Sequence, residues 1–431
     1  MFEHLWVGTH PDTVLALRVS SRVPELAVLD PATGDEIGTI PAGGAPEAHR
    51  TVITARAAQR PWAATAPDAR GLLLKNAARR LHEHARELAA LQTLEVGTPL
   101  ADSLGGVEAG IAAFEAFAEL GPLERGRAPR GDIVLREPRG VIAILMPWCD
   151  PLAASCGVLA AALVAGNTVV LKPSEKAPLA ATRLVELLDL GPMLSLLHGD
   201  ERAARPLAGH AGVDLVIRPG EEAAGTHVAI VDVGVDPEWA ADLIAASAFA
   251  GAGQSCGSVE RVHAHEAIAD PLLDALAERA RRLTVGPGSD SGTELGPLID
   301  AAHRVWVHRQ VEDAMTTGAE LLTGGKPLLR PGFFYAPTVL AGASPEALVN
   351  CGETRGPVVT LTAVATFGDA LEFERVGLAS VLTRSHANAR RAWTEVPART
   401  VSVNSVLRGA RAVAEPELLD AVTRTKVVHL S

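Results

Sequence analysis

From residue 133 to residue 190 the sequence alternates short β-branched apolar runs with longer stretches rich in Ala and Leu. Strand-like 133–136 and 140–146 lead into a helix over 152–165, a strand over 168–172 and a helix over 178–190. Strand and helix joined by such short turns call for βαβ units and a parallel sheet. The same alternation continues with strands at 214–217 and 227–231, an amphipathic helix at 237–251 and a strand at 261–264. Helices at 268–283 and 300–317 and strands at 358–367 and 400–404 follow. Upstream, a strand region over 26–41 contains the turn DPATGDE, and helices are expected at 45–62, 68–97 and 100–120. The basic, Gly/Pro-rich stretch 125–131 interrupts that pattern and reads as a connection leaving a domain. The fold class is therefore α/β.

At 431 residues the chain fits two or three domains. A net charge of −12 leaves no basic stripe to neutralise phosphates, so no nucleic-acid partner is expected. The start, MFEHLWVGTHPDTV, has no charged region followed by an apolar stretch, so no secretory signal is expected. The most apolar segment, 141–170, is broken by Pro147, Asp150, Pro151, Gly166 and Asn167. A membrane span needs about 20 uninterrupted apolar residues, so this segment reads as buried core. Cysteines at 149, 156, 256 and 351 show neither CxxC spacing nor scaffold density, which points to free thiols in a reducing cytoplasm.

GAGQSCG at 251–257 sits between a helix and a strand. A free Cys is usually a small buried hydrophobe. Here glycines let the backbone approach a ligand closely, and a thiolate near main-chain N–H groups is easier to form. Cys256 is therefore a candidate nucleophile. The same letters spell G-x-S-x-G around Ser255, but that hydrolase elbow needs a strand before it and a helix after it, the reverse of the order here. AGNTVVLKPSEKAPLA at 165–180 is a tight turn, a buried strand, then Lys172 and Glu175 at the strand's carboxyl end. Ligands of open α/β sheets bind there, although a solvated pair at a helix start would look the same. GPGSDSG at 286–292 reads as a surface turn, and the 14 histidines form no metal-binding spacing.

Together these motifs resemble the aldehyde dehydrogenase superfamily, along nearly the whole chain. LDPATGDEIGTIPAGG, EPRGVIAILMPWCDPL, AGNTVVLKPSE, GAGQSCGSVERV, TGGKP, GFFYAPTVL and GETRGPV stand in family order. The resemblance implies Cys256 as the nucleophile that takes up the aldehyde carbon and Glu222 as the general base that activates water. It places Lys172 and Glu175 on the adenosine ribose hydroxyls and Glu353 on the nicotinamide ribose. Pro147, Trp148 and Gly220 fall on cofactor-side positions. An acidic group at 175 would repel a 2′-phosphate, which implies NAD as the cofactor. The implied fold has two Rossmann-like domains. Residues 1–123 and 142–224 would form the cofactor-type domain and 225–405 the catalytic domain. Residues 124–141 and 406–431 would form a strand flap joining a neighbouring subunit in a homodimer or homotetramer.

Several positions depart from the family pattern. Cys149 replaces the Asn whose amide donates to the developing oxyanion, a loss that typically costs about 100- to 1,000-fold in rate. After the strand at 214–217, roughly twenty residues of the expected βα unit over the diphosphate are absent, and Gly220 would keep only the turn. Arg355 replaces a Phe beside the nicotinamide, and SVLRGARAVAEPE replaces a Gly-rich segment near the end. Asp150 replaces an aromatic residue of the aldehyde channel, which would suit a cationic or polar aldehyde. The expected activity is NAD-dependent oxidation of a small aldehyde to a carboxylic acid through a Cys256 thioester. The alternatives are a pseudoenzyme of the same fold, which would assemble with an active paralogue, and a nucleotide-independent Cys256 esterase.

Overall fold

In the computed structural model, which describes residues 24–123, 132–220, 227–407 and 416–429, the alternating segments pair as two separate sheets, one parallel and one parallel but for an edge strand. The smaller sheet contains β4 (Val141–Leu145), β5 (Thr168–Lys172), β6 (Leu194–Leu196) and β7 (Leu215–Ile217), in the order β6-β5-β4-β7. Every pairing in it is parallel. Helices cover both faces, so β5 is buried at all its positions, which is why TVVLK carries a run of apolar residues rather than an alternation.

On one side lie α1 (Ala45–Ala64) and α7 (Glu201–Ala208), packed on Val141, Ala143 and Val170. On the other side lie α2 (Pro67–Glu83), α3 (Ala85–Val96), α4 (Leu100–Leu123), α5 (Pro151–Val164) and α6 (Leu179–Leu188). Their core includes Phe114, Phe117, Ile142, Ile144, Leu159 and Leu163. The pattern over 68–97 reads as one helix, but it is two. The backbone leaves helical geometry at His84, with φ −111° and ψ 14°, and α3 starts again at Ala85. The carbonyls at the end of α5 are taken up by buried side chains: Trp62 Nε1 donates to Leu163 O at 3.1 Å and Arg70 Nε to Val164 O at 2.7 Å. Glu95, also buried, accepts from the first amides of α6, Leu179 N at 2.5 Å and Ala180 N at 2.9 Å.

The larger sheet is built from β8 (His227–Val231), β9 (Val259–His265), β10 (Glu320–Thr323), β11 (Thr338–Ala341), β12 (Val358–Val364), β13 (Val376–Leu382) and β14 (Ala398–Val403). Their order is β10-β11-β12-β9-β8-β13-β14, and only β10 runs antiparallel to its neighbour. The helices α8 (Pro237–Ala248), α9 (Glu266–Arg282) and α10 (Ala301–Thr316) flank it. A short α11 (Leu348–Cys351) precedes β12, and α12 (His386–Glu395) connects β13 to β14. Two antiparallel ribbons stand apart from the sheets. One pairs β1 (Glu25–Leu29) with β2 (Glu36–Pro41). The other pairs β3 (Asp132–Pro138) with β15 (Thr423–His429), which follows α13 (Pro416–Val422). No described helix is long and apolar enough to cross a membrane. The expected connection at 125–131 and the general base Glu222 lie outside the described residues.

Candidate active site

Cys256 stands on the turn between α8 and β9. That turn begins with a short 3-10 segment, Ala250–Gly253, in which Gly251, Ala252 and Gly253 all have φ between 54° and 68°. Gly253 is required by space as well as by conformation, because a Cβ there would lie 2.0 Å from Gly356 O. Gln254 pins the turn from within the core. Its Nε2 donates to Gly251 O and Pro297 O, and its Oε1 accepts from Ile299 N at 2.8 Å. Beyond the thiol, Gly257 turns the chain with φ 90°. Its carbonyl accepts from His227 Nδ1 at 2.7 Å, while His227 Nε2 faces Ser380 Oγ at 2.8 Å. Burial pushes the His227 pKa down to about 4. The imidazole is therefore neutral near pH 7, and the carbonyl assigns its proton to Nδ1.

The Cys256 side chain is half-buried on the wall of a cavity of about 10 Å³, which has room for roughly one water molecule. Gly220, Glu260, Glu353 and Arg355 share that wall. Gly220, with φ 87°, passes close above the thiol: a Cβ there would be 2.9 Å from Cys256 Sγ.

Three charged groups and a second thiol surround the nucleophile candidate. Cys149, at the amino end of α5, is 1% exposed and places its Sγ 3.0 Å from Cys256 Sγ. Contact with Cys256, then burial, hold its pKa well above the ordinary thiol value. Either sulfur of the pair can be the donor in this contact. Arg355, a non-glycine residue with φ 49°, reaches Cys149 Sγ with Nη1 at 3.7 Å and Glu353 Oε2 with Nε at 2.5 Å. Burial works against the Arg355 charge, but the neighbouring Cys149 and Glu353 outweigh it and raise its pKa. Glu260, on β9, accepts from Thr354 N at 2.8 Å and Arg355 N at 2.9 Å through the same oxygen, Oε1. Its Oε2 is buried with no hydrogen-bond partner among the described residues, and burial pushes its pKa up to about 7.

Lys172 and Glu175 meet where the sequence places them, beyond the carboxyl end of β5, with Lys172 Nζ 3.4 Å from Glu175 Oε2. Lys172 is 5% exposed. At 3.4 Å this is a long contact for a charged donor. His198 beside it is neutral, its pKa pushed down to about 4 by burial and then by the Lys172 charge. An ammonium and a carboxylate at this strand end are a donor and an acceptor of the kind that ribose hydroxyls take. The diphosphate has no helix N-terminus after β7 among the described residues, since β8 already belongs to the other sheet. At the reacting end, Glu353 is engaged by Arg355. Trp148 stacks edge-on against His303 at 5.3 Å, with Lys176 Nζ 5.9 Å from its ring, and Pro147 precedes it in the same half-buried loop. Sequence reasoning brought together Cys256, Cys149, Gly220 and Glu353, but it did not single out Glu260. Glu260 is followed by Arg261 in β9, so in sequence it reads as an ordinary charged pair.

The site thus brings together a thiol on a glycine turn and a Lys/Glu pair at the end of a parallel strand. The family model described as the aldehyde dehydrogenase family matches residues 19–230 and 221–416, and the chain belongs to that family of oxidoreductases, whose chemistry is aldehyde oxidation. Among curated relatives, it is 34% identical to a non-phosphorylating aspartate-semialdehyde dehydrogenase of Halomonas elongata, covering 89% of this chain and 85% of that protein. It is 31% identical to a succinate-semialdehyde dehydrogenase of Escherichia coli (strain K12), named for NADP(+), covering 78% and 76%. Among solved structures, an NAD-dependent aldehyde dehydrogenase from Sinorhizobium meliloti superposes with a TM-score of 0.89 at 28% identity, covering 95% of this chain and 92% of that one. Lactaldehyde dehydrogenase from Escherichia coli gives a TM-score of 0.90 at 26% identity, covering 96% and 97%.

Proposed function

We propose that this protein oxidises a small aldehyde to a carboxylic acid through Cys256, with NAD as the acceptor. The observation that carries this reading is the half-buried Cys256 thiol, held on a rigid glycine turn at the cavity wall beside Gly220, Glu353 and Arg355. Its sulfur would attack the aldehyde carbon to give a thiohemiacetal, and loss of hydride would leave a thioester. The Cys149 S–H, with the Arg355 charge behind it, replaces an amide as the donor near the developing oxyanion. Glu222, assigned from the family resemblance, would activate the hydrolytic water. Lys172 and Glu175 would hold the adenosine ribose, and the Glu175 carboxylate favours NAD over its 2′-phosphate counterpart. Bound there, NAD supplies the hydride acceptor. We assign residues 1–123 and 142–224 to the cofactor-type domain and 225–405 to the catalytic domain. The β3–β15 ribbon is the edge through which subunits of a homodimer or homotetramer would join.

A second reading is supported by the Glu353–Arg355 ion pair and by the missing helix after β7 among the described residues. In it, Cys256 works without a nucleotide as an esterase, or the chain is a catalytically impaired partner of an active paralogue. Calorimetric titration with NAD, using Lys172→Ala as the control, separates the two. Micromolar binding that the variant abolishes supports the dehydrogenase, and no binding at millimolar NAD discards it. Hydrolysis of a nitrophenyl ester without nucleotide, lost on Cys256→Ala, would then identify the esterase.

A further inference from the structure

The two sulfurs in the site face each other across 3.0 Å with nothing between them, and a disulfide needs them only about 1 Å closer. Both lie on turns: Cys149 just before Asp150, which has φ 43°, and Cys256 just before Gly257, which has φ 90°. The other two thiols are engaged elsewhere. Cys156 is buried within α5 against the backbone of Gly110, and Cys351 Sγ donates to Glu346 O at 3.3 Å. The Cys256 thiol is half-buried beside the cavity, open to a small oxidant.

We propose that Cys149 and Cys256 form a redox pair, in which a small hydroperoxide oxidises Cys256, Cys149 closes an intramolecular disulfide on it, and a dithiol reopens it. In the first step the Cys256 sulfur bonds to one hydroperoxide oxygen and the O–O bond breaks. The other oxygen leaves as water or an alcohol, carrying the proton given up by the thiol, and Cys256 becomes a sulfenic acid. In the second, the Cys149 sulfur bonds to the Cys256 sulfur, the S–O bond breaks, and the hydroxyl leaves as water with the Cys149 proton. Two thiols have lost two electrons and the O–O bond has gained them. A dithiol reverses this by two exchanges, ending as its own disulfide and returning both protons. The closed form has no free nucleophile, and it spares Cys256 the irreversible sulfinic and sulfonic states. Arg355, 3.7 Å from Cys149, works against the contact with Cys256 and the burial that otherwise keep the Cys149 thiol protonated.

The test uses the full-length reduced protein, treated with stoichiometric hydrogen peroxide, alkylated, digested and analysed by mass spectrometry with fragmentation. The expected product is a Cys149–Cys256 cross-link, lighter by two hydrogens, with Cys156 and Cys351 alkylated, and dithiothreitol restores both thiols. In Cys149→Ser, Cys256 should accumulate sulfinic and sulfonic acid about tenfold faster than in the parent protein. Cys256 left alkylated, oxygenated without a cross-link, or joined to Cys156 or Cys351 would overturn the proposal. So would equal over-oxidation in the variant and its parent. These readouts need no aldehyde turnover, so they fail or succeed separately from the dehydrogenase assignment.

Discussion

In the four-stranded sheet, Lys172 waits at the end of β5 with one long contact to Glu175, and after β7 the chain crosses to the other sheet. In the seven-stranded sheet, Cys256 sits on a turn fixed at both ends by Gln254 and His227. The first site is two side chains at a strand end and depends on a further helix for a diphosphate. The second is a backbone conformation that Gly251, Gly253 and Gly257 dictate and buried hydrogen bonds lock. The contrast separates what each sheet contributes: the larger one holds Cys256 on a turn locked by buried hydrogen bonds, and the smaller one holds Lys172 and Glu175 at an open strand end. The residues between them, Arg355 with Glu353 and Cys149, then decide whether the halves cooperate.

The largest effect should come from the catalytic half. Cys256→Ala should reduce aldehyde oxidation by about 10⁴-fold or more, as removal of a covalent nucleophile does. Calorimetric NAD affinity should change little, since no part of the adenosine site touches the turn. A variant with substantial residual oxidation would move the nucleophile elsewhere and end the contrast between the sheets. The nucleotide half is tested by Lys172→Ala. Loss of a charged donor to the ribose hydroxyls, worth about 1.5–3 kcal/mol, should weaken NAD binding by roughly 10- to 150-fold. Unchanged affinity would mean that the dinucleotide, if bound, does not use the end of β5.

A smaller effect links the sheets through pH. Glu260 carries the Thr354 and Arg355 amides, and burial raises its pKa from 4.5 to about 7. A carboxyl with a raised folded pKa contributes stability that is fully present below its unfolded value and lost as pH rises through the folded one. Glu260→Gln keeps an oxygen for both amides and cannot ionise. Urea unfolding followed between pH 4.5 and 7 should therefore show the parent losing roughly 2 kcal/mol relative to the variant over that window. Parallel curves would mean that Glu260 is ionised throughout and that its orphan oxygen finds water.

Much of this architecture is written in local pattern. The strands at 168–172 and 227–231 match their sequence boundaries residue for residue, because a doubly covered parallel strand is apolar at every position. β6 and α7 escaped notice: LSL is too short for a period, and ERAARPLA carries a proline that argues against a helix. β13 was missed because Gly and Ser interrupt VGLASVL, although it lies beside β8 within the sheet. The single helix expected over 68–97 hid its break at His84, which nothing in the apolar spacing marks. Cys256, Lys172, Glu175 and Glu353 are candidates that motif letters alone single out. The Cys149–Cys256 contact joins residues 107 apart, and the Arg355–Cys149 contact spans 206, so both are products of the fold rather than of any segment. Arg355 was legible only as a missing apolar wall, and its actual bonds to Glu353 and Cys149 required the tertiary structure.

The finest test concerns the crossing between the sheets. Gly220 has φ 87° and would place a Cβ 2.9 Å from Cys256 Sγ. For Gly220→Ala, the left-handed backbone costs about 1–2 kcal/mol. The smaller entropy of the unfolded alanine chain offsets about 0.4–1 of that. The net loss of stability, read by chemical denaturation, should be about 1 kcal/mol. The new methyl group also crowds the thiol, so labelling of Cys256 by a disulfide reagent should slow several-fold, while Cys351, exposed on α11, keeps its rate. Stability lost with no change in labelling would mean that the crossing is free to lift away from Cys256. If labelling slows as expected, the segment at Gly220 is part of the wall that limits the site to small reactants, and the smaller sheet controls access to a nucleophile that the larger sheet supplies.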